Sequence, residues 1–482
     1  MKIIFTIIFL IFSNASFAKD VDLFVLNQEN IAKEARNNSP TMERIMAASL
    51  GAKLNKNQYL EKFQPQLEGN ASYFQTNETP IIDFVPIVSP ITNLSLGVKK
   101  DFTTGVSLGV YNKFTKQNYG SFGIDARNSI ALEFTMDLYK NFFGRDSKNR
   151  VSYFDYQDKI AQIRKKIDEE IFLITLNRIY FSLILNQEAI NISNKILAIY
   201  KNQENDASNR YKSGVADLSE VERRSSQLAS KRVDIATLSN DKENLILTLK
   251  QLLPSISANK VVLDKYNIDQ KIEGFYKIAK NIEAQKTAPL QYTSYDEIVD
   301  LIDKSYEKQK RFTKNYSDAD VKLYSTYEHF GRDEDVNQAI DETYKRAEDA
   351  YQVGVRVSVP LGKTKTNSRD LQLSLQNANF LANKQENLGK IQAYHTQSIH
   401  NLELLSEAKS YQAQNSKNLQ KILNLSEQKF DQARIPIRDL IADQDFYLQS
   451  RLRELSIKMS IANQIFDYME VFTNTPFSLS NG

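Results

Sequence analysis

The feature that most constrains this chain is a helical stretch far too long for an ordinary globular core. From about Asp146 to Leu253 the sequence reads as one long helix, a tight reversal from Arg210 to Leu218, and a second long helix coming back. At a rise of about 1.5 Å per residue the first arm would extend roughly 100 Å, against ~11–12 residues for a common helix. A second reversal spans Phe430 to Leu440, so the device is used twice. On the first arm Ile160, Ile163, Ile167, Ile171 and Ile174 keep the three-to-four spacing of an apolar stripe. On its return arm Val221, Leu228 and Ile235 recur every seven residues, as do Leu238, Leu245 and Leu252, which describes a coiled-coil seam. The last helix carries Leu448, Leu452, Leu455, Met459, Ala462, Phe466 and Met469 in the same manner.

Ahead of each long hairpin the period changes from helical to alternating. Leu67, Gly69, Ala71 and Tyr73 alternate with polar residues, as do Leu94, Leu96 and Val98, and Val106, Leu108 and Val110 after a Thr103-Thr104-Gly105 turn. The cleanest run is Ile130, Leu132, Phe134, Met136 and Leu138, with Glu133 and Asp137 on the opposite face. In the second half Val321, Leu323 and Tyr327, then Val353, Val355, Val357 and Val359, repeat the pattern. Such strands suit a soluble sandwich, or a membrane barrel with lipid outside and water inside. The span Gly331 to Ala350 is polar and charged and suits an exposed loop. Shorter helices are expected from Leu26 to Arg36, from Pro40 to about Phe63 with Ser39 as N-cap, and from Ser294 to Arg311. The chain therefore reads as an internal duplication. The first repeat covers 19–256 with strands at about 66–138. A linker with short helices covers 257–290. The second repeat covers 291–475 with strands at about 319–360, and a tail covers 476–482.

Met1-Lys2, an apolar run from Ile3 to Phe12 and small residues at Ser16 and Ala18 predict a signal peptide over 1–18. The run is shorter than the ~20 apolar residues that a spanning helix needs. No cysteine is present, so neither disulfides nor a cysteine-linked lipid anchor is expected. The 62 basic and 59 acidic residues leave a net charge of +3, too balanced for a nucleic-acid surface. The histidines are His329, His395 and His400, and the last two are five apart, the wrong spacing to share a metal on one helix. No phosphate loop and no nucleophile elbow occurs. No catalysis, no cofactor and no metal site are expected.

The order of these elements resembles the TolC family of outer-membrane efflux proteins. The phrases that carry the resemblance are Asn38-Ser39-Pro40, Phe63-Gln64-Pro65-Gln66-Leu67, Leu138-Tyr139-Lys140-Asn141-Phe142-Phe143-Gly144 and Tyr211-Lys212-Ser213-Gly214 leading to Val221. The resemblance implies a mixed, mainly α fold. Long antiparallel helical hairpins would form a trimeric periplasmic α-barrel, and each copy would add four strands to a shared outer-membrane β-barrel. It implies a homotrimer in outer-membrane lipid, a periplasmic adaptor protein at the hairpin tips, and an inner-membrane transporter behind the adaptor.

By the same resemblance, the docking tips would be Ser213, Gly214 and Val215 on the first hairpin and Ala433, Arg434 and Ile435 on the second. Gly214 fits the family's tip glycine; Ala433 departs from it, with Pro436 placed to begin the return helix. Asp439 matches a family acid at the pore gate, and Glu220 matches one on the first hairpin. The second gate acid is replaced by Ala442, with Asp443 beside it. The pairing arginine is replaced by Ile435, between Arg434 and Arg438, and the tyrosine partner by Phe430. The plainer reading of each tip is a helix reversal, and of each charge a solvated helix face. Two other functions fit the residues: a secreted or periplasmic coiled-coil structural protein with the strands as a small soluble domain, and a ligand-gated porin that works alone without an adaptor. The hairpin from Leu94 to Val110 is additional to the strands matched to the family, and its place is left open.

Overall fold

A computed structural model describes residues 23–78, 87–120, 123–284, 293–317, 319–432 and 434–472. The expected signal peptide over 1–18, the tail over 476–482 and Ala433 lie outside the described residues. The elements in order are β1 (Leu23–Leu26), α1 (Gln28–Asn38), α2 (Pro40–Glu61), β2 (Gln66–Phe74), β3 (Ile91–Asp101), β4 (Val106–Asn118), β5 (Ile124–Asp137), α3 (Arg145–Lys212) and α4 (Leu218–Leu252). There follow β6 (Lys260–Leu263), α5 (Ile268–Glu283), α6 (Ser294–Lys314), β7 (Asp320–Asp333), α7 (Val336–Lys345), β8 (Glu348–Ser358), α8 (Thr364–Asp431) and α9 (Ile437–Val471).

The duplication is visible in the lengths of the helices. α3 and α8 each have 68 residues, and α4 and α9 each have 35. Within each pair the second helix returns along roughly half of the first, which leaves the rest of the long arm to other partners. α2 and α6 take that place on α3, and α6 also meets α8. Ser39 caps α2 as its type and the following proline predict, its Oγ accepting from the Thr41 amide at 3.3 Å. α3 begins at Gly144, whose φ of +79° and close approach to Thr103 and Thr104 leave no room for a side chain. Asn141 Oδ1 accepts from the amides of Asp146 and Ser147 at 3.0 and 2.9 Å, satisfying donors that the first helical turn leaves free.

The core sits where the hairpins, α1 and α5 converge. Leu176, Leu183 and Ile184 of α3 meet Leu249 of α4, Phe275 of α5, and Phe466 and Tyr468 of α9. Phe181, Phe275 and Phe466 close a ring of aromatic contacts at 4.7, 5.2 and 5.7 Å. The apolar run from Ile171 to Leu185 is thus core, and no described helix is long and apolar enough to cross a membrane.

Three readings change. The stretch after Pro254 is more than a linker with short helices: β6 pairs in parallel with β1, and α5 buries Ile272, Phe275 and Ile282. A four-residue parallel pair is too short to leave a period in the sequence. The charged span Gly331 to Ala350 is not an open loop. Asp335 caps α7 by accepting from Asn337 and Gln338, and Ala339 and Thr343 are buried one helical turn apart. The strand count also differs from the four that the resemblance implies. β2, β3, β4, β5, β7 and β8 form one antiparallel sheet in that order, so the added hairpin is inserted between β2 and β5.

Candidate functional site: the sheet faces and the hairpin tips

Every paired strand residue keeps its face through the register, so the sheet has one apolar and one polar side. One side carries Leu67, Leu96, Val110, Leu132, Tyr327 and Val353, one from each of the six strands and each between 40% and 73% exposed. Near Gly331 and Asn128 this side is covered by α7: the Asn128 amide donates to Thr343 Oγ1 at 3.1 Å, and Gly331 lies against the helix backbone. At the end nearer the long helices, Tyr139, Phe142, Phe143 and Tyr316 are all exposed.

The opposite side is charged and connected. Lys113 bonds Glu133 at 2.8 Å and reaches Glu328 at 3.5 Å; Arg127 bonds Glu328 at 2.7 Å and lies 3.7 Å over the Phe330 ring. The Tyr111 hydroxyl donates to Glu68 at 2.8 Å, and its ring lies flat across Gly97 and Gly109. A side chain at either glycine would overlap that ring. The pairing lets an aromatic bridge neighbouring strands on an otherwise charged face.

The first tip is a compact reversal. Gly214 has φ +74° and donates to the Tyr211 carbonyl at 2.9 Å, while Val215 donates to Arg210 at 2.9 Å. Ser213 Oγ donates to Asn209 at 3.0 Å, and Val215 is 69% exposed at the apex. Nothing lies within 4 Å of a side chain built at Gly214, so the glycine is required by the backbone and not by space. At the second tip Arg434 donates to the Lys429 carbonyl at 2.8 Å, and Pro436 precedes α9 in extended conformation. Arg434 is exposed and Ile435 half-buried.

The residues expected at a gate each bond within their own hairpin. Glu220 accepts from Arg210 at 3.5 Å, Asp439 from its neighbour Arg438 at 3.1 Å, and Asp443 from Ser426 Oγ at 2.5 Å. Among the described residues no hydrogen bond or ion pair links Glu220 to the second hairpin. The contacts that join the two hairpins lie further from the tips, and sequence reasoning missed them. Tyr200 of α3 donates to Asp445 Oδ2 of α9 at 3.1 Å, and Gln449 donates to the same oxygen at 2.7 Å. Burial first, then the Asp445 charge, pushes the Tyr200 hydroxyl up to about 12. Arg178 of α3 holds Asp467 at 2.5 Å and Glu470 at 2.8 Å on α9. Burial works against the guanidinium charge, but these two acids outweigh it and its pKa is raised. Partners 245 and 289 residues apart leave no spacing to read. Among the described residues no group of His, Cys, Asp and Glu is placed to hold a metal.

Solved structures supply the comparison. VceC, an outer membrane protein of Vibrio cholerae, matches with a TM-score of 0.63 at 12% identity, covering 94% of this chain and 97% of its own. The CmeC outer membrane channel of Campylobacter jejuni matches with a TM-score of 0.63 at 12% identity, covering 95% and 90%. The chain has the fold of these outer-membrane proteins. CusC, described in terms of transmembrane channel formation, agrees, with a TM-score of 0.63 at 13% identity over 95% of both chains. The similarity spans helices and sheet together, which is the mixed, mainly α fold that the resemblance in the sequence implied. No protein-family model and no curated protein matches the chain.

Proposed function

We propose that this chain is an outer-membrane exit duct. Three copies would stand side by side, closing their sheets into a barrel in the outer membrane and their long hairpins into a hollow helical barrel in the periplasm. The repeats over 19–256 and 291–475 supply one hairpin each to that barrel. The observation that carries the reading is the exposed apolar face crossing all six strands, backed by a face of bonded charges. A soluble protein rarely leaves such a face in water, whereas a membrane barrel needs apolar residues outward and polar residues inward. β5 has 14 residues. At ~3.3 Å per residue and a tilt of about 40°, a strand of that length rises ~35 Å, enough for the ~25 Å apolar band. The exposed Tyr139, Phe142, Phe143 and Tyr316 serve as an interfacial girdle in a chain without tryptophan.

In this reading no chemistry is performed. The tips, with Ser213, Gly214 and Val215 on one hairpin and Ala433, Arg434 and Ile435 on the other, dock a periplasmic adaptor coupled to an inner-membrane transporter for efflux or type I secretion. Glu220, Arg434, Arg438, Asp439 and Asp443 form the gate, drawing partners from neighbouring copies. Three Asp439 carboxylates around one axis would favour cations. The competing reading, a secreted or periplasmic coiled-coil structural protein, leaves the apolar face uncovered. Fractionation with cross-linking tests the choice: recovery from the outer membrane as a trimer is expected. Recovery as a monomer in the periplasmic pool would overturn the reading.

A further inference from the structure

The sheet has two unused edges. β2 is exposed at every residue and β8 at all but one, while β3, β4, β5 and β7 are mostly half-buried. Unpaired edges are not tolerated in lipid. Six antiparallel strands leave β2 and β8 running in opposite directions, so β8 of one copy can extend the ladder with β2 of the next.

The register of that junction can be read from the sheet's own stagger. The row of residues paired through Gln66 passes Lys99, Gly109, Glu133, Thr326 and Gln352. Below that row the strands run on toward the helices by two residues in β3, three in β4, four in β5, and six in β7 and β8. A β2 that follows this descent starts opposite Ser358. The step of six is even, so it keeps apolar and polar faces continuous, which an odd step would invert.

We propose that copies of this chain join with β2 from Gln66 to Phe74 paired against Ala350 to Ser358 of the next copy, and that three copies close an eighteen-stranded barrel. The inference rests on the trimeric duct argued above and specifies its wall. All nine residues of β2 find partners. Leu67 meets Val357, Ala71 meets Val353 and Tyr73 meets Tyr351 on the lipid side, pairs that suit cross-strand packing. On the water side Glu68 comes opposite Arg356, so the junction also matches in charge. A descent of six residues per six strands corresponds to a tilt of about 35°, within the range of closed barrels.

The inserted β3–β4 hairpin sets the width. With strands ~4.8 Å apart and so tilted, eighteen strands enclose a barrel ~34 Å across between backbones, against ~22 Å for the twelve that four strands per copy would give. The mouth is then half as wide again, lined by Lys113, Arg127, Glu133 and Glu328, and fits a bulkier water-soluble cargo.

The chain has no cysteine, so an Ala71→Cys, Val353→Cys double variant reports on this junction alone. Oxidation of the membrane-embedded protein with copper-phenanthroline is expected to give a reducible covalent trimer, while Ala71→Cys with Val357→Cys gives none. Electron microscopy of the purified full chain counts the wall, and eighteen strands are expected. A trimer with twelve strands and the β3–β4 hairpin outside the wall would overturn the inference but leave the duct. Eighteen strands without the 71–353 bond would overturn the register. A monomer would overturn both readings.

Discussion

Asp445 is a 9% exposed carboxylate whose Oδ2 takes two bonds while Oδ1 is buried with no partner among the described residues. A buried charge satisfied on one side depends heavily on each donor it has. Tyr200→Phe removes one, and should cost about 1.5–3 kcal/mol in a reversible melt. The pH dependence has a defined sign. The Tyr200 hydroxyl titrates at about 12 in the fold, above the ~10 of a free tyrosine. Its bond therefore contributes fully below about pH 10 and is lost as pH rises toward 12. The stability gap between the wild type and Tyr200→Phe should be constant from about pH 6 to 9 and narrow above 10. A gap that widens in alkali would contradict the assignment. Gly97 makes the other residue-scale test. A valine there meets the Tyr111 ring and the Val110 carbonyl, so Gly97→Val should cost about 1–3 kcal/mol. Pairing it with Tyr111→Ala should recover part of the loss.

Among the elements, the long hairpins and the strands were legible because each carries an unbroken period over many residues. Ile160, Ile167 and Ile174 are all buried, as their seven-residue spacing implies. α7 was hidden because it is short and buries only Ala339 and Thr343, while its apolar Ile340 and Tyr344 are exposed among polar residues. β4 extends to Asn118, well past Val110, and its far end was hidden because Tyr111 on the polar side and Asn112 on the apolar side break the alternation without interrupting the ladder. That the inserted hairpin joins the sheet is a matter of pairing, which periodicity in one strand does not report. Of the tips, only Gly214 carried a readable backbone requirement; the links between hairpins, Tyr200 to Asp445 and Arg178 to Asp467, did not. Gly214→Val places a β-branched residue at φ +74°, a strain of about 1–2 kcal/mol. Bulk stability should fall by no more than that, since the apex is open to solvent. Capture of the adaptor at the tip should weaken markedly in a cross-linking assay. Unchanged capture would move the docking role away from this reversal.

At the scale of the whole molecule, one chain is an incomplete object. Among the described residues its sheet has two edges with no partner and an apolar side that α7 covers only near Gly331 and Asn128, and Glu220, Asp439 and Asp443 bond within their own hairpins. In the proposed ring, neighbouring copies and lipid would supply all three. In the proposed ring Asp439 would bear on the narrow end, so Asp439→Ala should raise conductance and reduce cation preference, and equal values in both proteins would remove it from the gate. Single-channel recording reports whether copies of this chain enclose a water-filled path through a membrane. Purified full-length protein and its Asp439→Ala variant, reconstituted in planar bilayers, should each give discrete current steps, larger in the variant. Full incorporation of both proteins with no steps from either would contradict the account.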